Sequence, residues 1–136
     1  MGPFDSINIS NSGVDVYRTW IDAISDNLAN MDDVSPTSQP AFEARYVVAQ
    51  SQMAPDGQGA GAKVVAMATG DPTGTLVHDP SSPLADRNGY VRYPDIDEGQ
   101  QMSDLIMAQR GYQANLAVVD RAKTAYEDAI NLGKNT

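Results

Sequence analysis

Apolar side chains near the start of the chain recur with the spacing of a heptad repeat. The members of this first heptad stripe are Val14, Tyr17, Ile21, Ile24, Leu28 and Met31. Alternating steps of three and four residues place them on one face of an α-helix, as in a coiled coil. Ser10 or Ser12 can cap the helix start, and Ser35-Pro36 predicts its end. We therefore expect an amphipathic helix in segment 1–36.

A second heptad stripe lies near the end of the chain. Its members are Met102, Leu105, Gln109, Tyr112, Leu116, Val119, Lys123, Tyr126 and Ile130. The two polar members, Gln109 and Lys123, are typical of positions that set helix register at a cost in stability. A helix from Glu98 to Leu132 has 35 residues and would be roughly 50 Å long. A helix of this length with a narrow apolar stripe requires a partner.

The middle of the chain, residues 37–97, predicts short strands and turns. Of the eight prolines, seven lie between Pro36 and Pro94, where they exclude long helices. Runs of β-forming residues occur at 42–53, 63–67 and 75–77. Residues 54–62 are rich in glycine and predict a mobile loop between two strands. Asn88-Gly89 predicts a hairpin turn.

The patterns together predict a mainly α fold with a small β part. The segments are the N-terminal heptad helix (1–36), a small β-rich domain with an irregular β-hairpin (37–97) and the long C-terminal heptad helix (98–136). We expect the two helices to pair as a coiled-coil stalk. The longer helix would then keep part of its apolar stripe unpaired, which implies another subunit. An ordinary helical hairpin within a self-contained domain is the alternative.

The composition excludes several kinds of chemistry. The 136 residues include no cysteine and one histidine, and the formal net charge is −9. Thiolate nucleophiles, disulfides and sulfur-ligated metals are therefore excluded, and two-histidine metal sites cannot form within one chain. The acidic excess disfavours nucleic acid and anionic lipid surfaces as partners. No secretory signal is recognisable, and the longest apolar run, Val64–Ala68, is too short to enter a membrane as a span.

Two short motifs are similar to known ligand-binding loops but lack residues that those loops require. Gly57–Lys63 departs from the phosphate-binding loop because Ala62 and Val64 stand where Gly and Ser or Thr are needed. Asp95–Glu98 lacks the Gly and Glu positions of a calcium-binding EF-hand loop. We interpret the first motif as a flexible loop and the second as acids that cap the long helix.

A third motif supplies the atoms of a hydrolase triad, because His78-Asp79 is followed by Ser81 and Ser82. Triad members normally come from separate elements, and a proline-rich turn is the wrong context. We expect no catalytic residues, metal ligands or cofactor. A small acidic carbohydrate-binding or hydrolase module remains the alternative function.

Two stretches resemble the terminal signatures of flagellar rod and hook proteins. The first is the serine-rich start and heptad helix that closes with Asn27-Leu28-Ala29-Asn30. The second combines Gly89-Tyr90-Val91 and Tyr93-Pro94-Asp95-Ile96 with a heptad helix that carries Gln109-Arg110-Gly111-Tyr112-Gln113-Ala114-Asn115. The signature positions carried over by this resemblance are Asn27, Ala29, Asn30, Arg110, Ala114 and Asn115.

The resemblance implies a structural, non-enzymatic role in the bacterial flagellum. Such proteins stack helically with copies of themselves and with other rod proteins into the rod, the hollow shaft that transmits torque from the motor to the hook. The resemblance also implies export by the flagellar type III apparatus without a cleaved signal, contact with the export-gate adaptor, and a place in the basal body on the periplasmic side of the inner membrane. The two heptad stripes are the predicted assembly interface.

Overall fold

A computed structural model of the chain describes residues 3–134. Along the chain, one long helix precedes the five strands and a second long helix follows them, in the order α1, β1 to β5, α2. Their bounds are α1 Pro3–Asn30, β1 Ser35–Pro36, β2 Arg45–Met53, β3 Gly59–Thr69, β4 Thr75–His78, β5 Tyr90–Tyr93 and α2 Glu98–Lys134. The prediction of two terminal helices with small antiparallel sheets between them is confirmed. Coiled-coil pairing of the helices stays a prediction.

Helix α1 begins earlier than the capping serines suggest. It starts at Pro3 and continues to Asn30 without a break at Gly13. Proline is favoured in the first helical turn, where its missing N–H is not needed, and Asp5 complements the positive end of the helix dipole. The predicted start at Ser10 or Ser12 is therefore wrong. Ser12 instead lies inside the helix, where its hydroxyl donates to the Ile9 carbonyl at 2.6 Å.

Helix α2 starts where the acidic motif predicts. The Asp97 carboxylate accepts a hydrogen bond from the Gln100 N–H at 2.7 Å, and the Asp97 carbonyl accepts one from the Gln101 N–H at 3.0 Å. The side-chain bond satisfies a donor that the first turn of a helix leaves unpaired, and the bond to the Asp97 carbonyl is the first hydrogen bond of the helix itself. The interpretation of this motif as a helix cap is confirmed.

A three-stranded antiparallel sheet has the order β1-β5-β4. Pro36 lies opposite Val91 in the edge strand β1, and His78 lies opposite Tyr90. The edge position tolerates Pro36, which has no N–H to donate to a further strand. Val91, in the central strand, is completely buried.

Strands β2 and β3 form a separate two-stranded sheet. The turn between them is tight, because Ala54 N–H donates to the Gln58 carbonyl at 2.8 Å and Gly57 has φ +79°. The turn before β5 repeats this geometry, with Asp86 N–H bonded to the Tyr90 carbonyl at 2.9 Å and Gly89 at φ +81°. Three-residue hairpin loops place glycine in this left-handed region. Residues 59–62 of the expected loop belong to β3, and the mobility of 54–62 stays a prediction.

The chain divides into two compact units. Within the described residues, the first unit comprises 3–19, 48–66 and 106–134, and the second unit comprises 20–47 and 67–105. Ala108 is buried in the first unit, and the second unit has a small apolar core of Ala23, Ile24, Ala41, Ala44 and Val91. The predicted segments 1–36, 37–97 and 98–136 remain a hypothesis about domain organisation.

In the part of the chain that the structure describes, neither helix has the continuous apolar stretch of a membrane span.

Candidate assembly surface

The first heptad stripe faces the interior of the protein. Ile24 is 2% exposed. The other five members, Val14, Tyr17, Ile21, Leu28 and Met31, are half-buried. The stripe of α1 is therefore at least half-buried within the chain, and its use as an assembly interface stays a prediction.

The second heptad stripe is divided between interior and surface. Leu105, Tyr112 and Val119 are half-buried, whereas Met102, Gln109, Leu116, Tyr126 and Ile130 are exposed. Lys123 is exposed as well. Asp104 and Gly111 are also half-buried. The other inward positions of α2 are Gln101, Leu105, Ala108, Tyr112, Asn115, Val119 and Ala122. These seven positions keep the 3,4 spacing, but every second one has a small or an amide side chain. Met102 and Leu116, which each follow such a position, are exposed instead.

Small side chains bring the two helices of the first unit close together. A Cβ added to Gly13 would lie 2.7 Å from Asn115 Oδ1, and one added to Gly111 would overlap the Tyr17 ring. Phe4 meets Tyr126 edge to face, with ring centroids 5.4 Å apart. Along these contacts, residue numbers rise on α1 as they fall on α2, so the helices are antiparallel. Sequence reasoning did not anticipate the contact between Gly111 and Tyr17. The available signal was a glycine inside an otherwise strong helix pattern, which indicates a close approach.

The β2–β3 hairpin is fixed to α1 in the first unit through Ser12. Its hydroxyl accepts a hydrogen bond from the Ala62 N–H at 3.0 Å while donating to Ile9. An open groove of about 600 Å³ lies beside this contact, and Ile9, Tyr17 and Met53 are part of its lining. Met53 is 71% exposed.

A buried amide cluster connects three elements of the second unit. Asn27, which is 0% exposed, donates from Nδ2 to the Arg45 carbonyl at 2.9 Å and to Gln101 Oε1 at 2.9 Å. Its Oδ1 accepts from the Arg45 N–H at 2.7 Å. The Asn27 amide therefore pairs with both backbone groups of Arg45, as a neighbouring strand would, and also binds the α2 side chain of Gln101. The resemblance indicated Asn27, but Gln101 and Arg45 were not anticipated.

The remaining signature residues have local or exposed positions. Asn30 donates to the Asp26 carbonyl at 2.7 Å, and Asn115 donates to the Gly111 carbonyl at 2.8 Å, both within one helix. Another Asp26 contact is an ion pair with Arg45 at 2.9 Å. The other three signature residues, Ala29, Arg110 and Ala114, are exposed.

Among the described residues, α2 exposes eight large apolar side chains, and the strands β2 to β5 together expose eight more. Those on α2 are Met102, Ile106, Met107, Leu116, Val118, Tyr126, Ile130 and Leu132. Leu132 is 72% exposed, near the C-terminal end of the helix. Several large apolar side chains exposed along one helix favour contact with another protein surface.

The triad-like residues are arranged as a turn. The Ser81 hydroxyl donates to Asp79 Oδ1 at 2.6 Å, and the His78 ring packs against Tyr90 with centroids 5.0 Å apart. The hydrogen bond from Ser81 lowers the pKa of the Asp79 carboxyl. No hydrogen bond joins these serine and histidine side chains among the described contacts. Residues 3–134 also contain no cluster of three or more histidine and acidic side chains suited to a metal ion.

Comparison with known proteins finds relatives along nearly the whole chain. The flagellar basal-body rod protein FlgC of Salmonella typhimurium is 33% identical over 135 residues, covering 98% of this chain and 100% of the relative. FlgC of Bacillus subtilis is 32% identical over 150 residues, with 98% and 100% coverage. FlgC of Aquifex aeolicus is 32% identical over 140 residues, with 98% and 99% coverage.

A family model also matches the C-terminal part of the chain. The family, described as "Flagellar basal body rod FlgEFG protein C-terminal", matches residues 87–132. This range includes β5 and nearly all of α2. Both comparisons favour a structural protein over the hydrolase or carbohydrate-binding alternative.

Proposed function

This chain belongs to the FlgC family of flagellar basal-body rod proteins, and we propose that it is a structural subunit of the proximal rod. The observation that carries the proposal is similarity to FlgC over 98% of this chain and 100% of the Salmonella relative. In this role the protein joins copies of itself and other rod proteins, and its work is mechanical.

The terminal helices are the proposed assembly elements. The stripe of α1 has no exposed member, so the contacts with neighbouring subunits fall mainly to the exposed apolar residues of α2, including Leu116, Tyr126 and Ile130. A neighbouring helix would complete the apolar environment of these side chains, as in a coiled coil. Helices interlocked in this way resist rotation of one subunit against the next, which is what a shaft that transmits motor torque requires.

The proposed location is the basal body on the periplasmic side of the inner membrane. The chain would reach it through the flagellar type III export apparatus and without a cleaved signal, and its neighbours there would include the export-gate adaptor. The absence of cysteine from the sequence supports this route, because a chain that folds in an oxidising compartment cannot then form wrong disulfides.

Leu116→Asp is expected to abolish rod incorporation and motility while export persists. Leu116 is 37% exposed, so a carboxylate there is tolerated by the isolated subunit but opposes burial at an apolar interface. The measurements are swimming in soft agar, the amount of the protein in purified basal bodies, and its export into the periplasm.

Ala117→Asp is the matched control, because it adds the same charge at the next residue, which is exposed and small. This variant should retain swimming. Circular dichroism of both purified variants checks that the helices persist. Normal swimming of the Leu116→Asp strain would contradict the proposed use of this surface.

A further inference from the structure

The turn before β5 contains a pair of residues that can react with each other. Asparagine is among the heat-labile residues, and Asn88 is the only one of the eight asparagines that is followed by glycine. In such a pair the glycine nitrogen can attack the side-chain carbonyl carbon of the asparagine, because no side chain on the glycine obstructs the approach. Asn88 is exposed, so water reaches its amide.

The reaction converts the Asn88 side-chain amide into an acid in two steps. The Gly89 nitrogen gives its proton to solvent and bonds to Asn88 Cγ, the Cγ–Nδ2 bond breaks, and the amide leaves as ammonia with a proton from solvent. The product is a cyclic imide. Water then opens the ring at either imide carbonyl. Opening at Cγ leaves aspartate, and opening at the main-chain carbonyl leaves isoaspartate, whose backbone runs through the side chain.

In the folded turn, hydrogen bonds hold the attacking nitrogen in place. The Gly89 N–H donates to the Asp86 carbonyl at 3.0 Å, and Gly89 is buried. The Gly89 carbonyl accepts from the Asp79 N–H at 2.9 Å. The nitrogen therefore keeps its proton away from hydroxide, and it cannot turn towards the Asn88 side chain without breaking these bonds.

The Asp86 carboxylate fixes the residues on both sides of Gly89. Its Oδ1 accepts from the Asn88 N–H at 2.8 Å and from the Tyr90 N–H at 3.0 Å, and its Oδ2 accepts from the Thr37 hydroxyl at 3.1 Å. The bond from the Tyr90 N–H contributes most to the lowered pKa of the Asp86 carboxyl, which is an anion at neutral pH. A second negative charge on the Gly89 nitrogen is therefore disfavoured beside it.

The fold requires the glycine that makes Asn88 reactive. Gly89 has φ +81°, and a Cβ added to it would lie 2.9 Å from His78 Nε2 and 3.1 Å from Pro80 Cβ. Another residue at this position would be strained in its backbone and crowded by these neighbours. The turn thus depends on a residue pair that is chemically unstable wherever the turn is not formed.

We propose that Asn88 is a deamidation site, which reacts with Gly89 in the unfolded chain and is protected by Asp86 in the folded one. Asp86 protects it by holding the N–H groups of Asn88 and Tyr90. Isoaspartate at position 88 would lengthen the backbone of the turn and disturb the pairing of Tyr90 with His78. The inference goes beyond the proposed function and does not depend on it.

The test follows the loss of the Asn88 amide in the full chain by mass spectrometry of proteolytic peptides. The wild type is incubated in mildly alkaline buffer, either folded or unfolded in urea. In urea, Asn88 should lose its amide faster than Asn11, an internal control that is followed by serine. In the folded chain, the reaction at Asn88 should be roughly tenfold slower than in urea.

Two substitutions of Asp86 test its protecting role. Asp86→Ala removes the acceptor for the Asn88 and Tyr90 N–H groups, so the folded variant should lose the Asn88 amide several-fold faster than the folded wild type. Asp86→Asn is the matched control, because its side-chain oxygen can still accept both bonds. Its rate should stay closer to that of the wild type. Circular dichroism shows whether each variant is folded.

Equal rates at Asn88 in the folded and the urea-unfolded wild type would overturn the inference, because the turn would then give no protection. A folded Asp86→Ala variant that reacts as slowly as the wild type would also overturn it. If Asp86→Ala does not fold, its Asn88 should react at the rate seen in urea, and Asp86→Asn decides the matter. A folded Asp86→Asn variant with that same fast rate would contradict protection by these hydrogen bonds. Each of these results leaves the proposed function intact.

Discussion

Asn27→Leu is expected to lower the free energy of unfolding by about 3–5 kcal/mol. Leucine has the same number and branching of side-chain heavy atoms as asparagine, so the change removes hydrogen bonds without leaving a cavity. Three bonds are lost, two to the backbone of Arg45 and one to the side chain of Gln101. Each polar group left unpaired and buried costs about 1–3 kcal/mol. Urea unfolding followed by circular dichroism measures the loss.

Asn11→Leu is the control for Asn27→Leu, because it makes the same replacement at an exposed position of the same helix. Its effect should lie within about 0.5 kcal/mol of zero, as is usual for surface changes. Equal stabilities of the two variants would contradict the role of the buried amide cluster in connecting α1, β2 and α2.

Gly111→Ala is expected to cost about 1–3 kcal/mol, although alanine is the better helix former. The new methyl group would overlap the ring of Tyr17, which is packed against the glycine. Gly133→Ala provides the comparison on the same helix, because an added Cβ there has no neighbouring atom within 4 Å. That variant should be unchanged or slightly stabilised. Thermal and urea unfolding measure both.

Tyr17→Ala combined with Gly111→Ala tests whether the cost comes from this one contact. Removal of the ring takes away the overlap, so the second substitution should cost much less in the Tyr17→Ala background than in the wild type. Additive effects of the two substitutions would show that Gly111 serves some other purpose than close approach to Tyr17.

The helices and several turns could be predicted because their signals are local. Heptad spacing indicated both helices, the Asp97 cap fixed the start of α2, and Asn88-Gly89 indicated the turn before β5. The start of α1 was wrong because Ser10 and Ser12 are strong capping residues in sequence, whereas Pro3 and Asp5 support an earlier start. Local preference could not show that Ser12 is used inside the helix to bind Ala62.

The inward face of α2 was harder to predict because its packing depends on a distant segment. The large apolar residues Met102 and Leu116 suggested one stripe, but α1 approaches α2 most closely at Gly111 and Asn115. Periodicity identifies large apolar groups and does not reveal which positions the opposing helix leaves room for. The role of Gln101 was missed for the same reason, since its partner Asn27 is 74 residues away.

Each point at which the chain crosses from one compact unit to the other lies inside a helix or a strand. They lie at 19–20 in α1, 47–48 in β2, 66–67 in β3 and 105–106 in α2. Melting one unit alone would interrupt two helices and a hairpin within their hydrogen-bonded lengths. The chain should therefore unfold in a single cooperative transition, with coincident curves from tyrosine absorbance and far-ultraviolet circular dichroism. We expect the shared backbone to make the two units unfold as one.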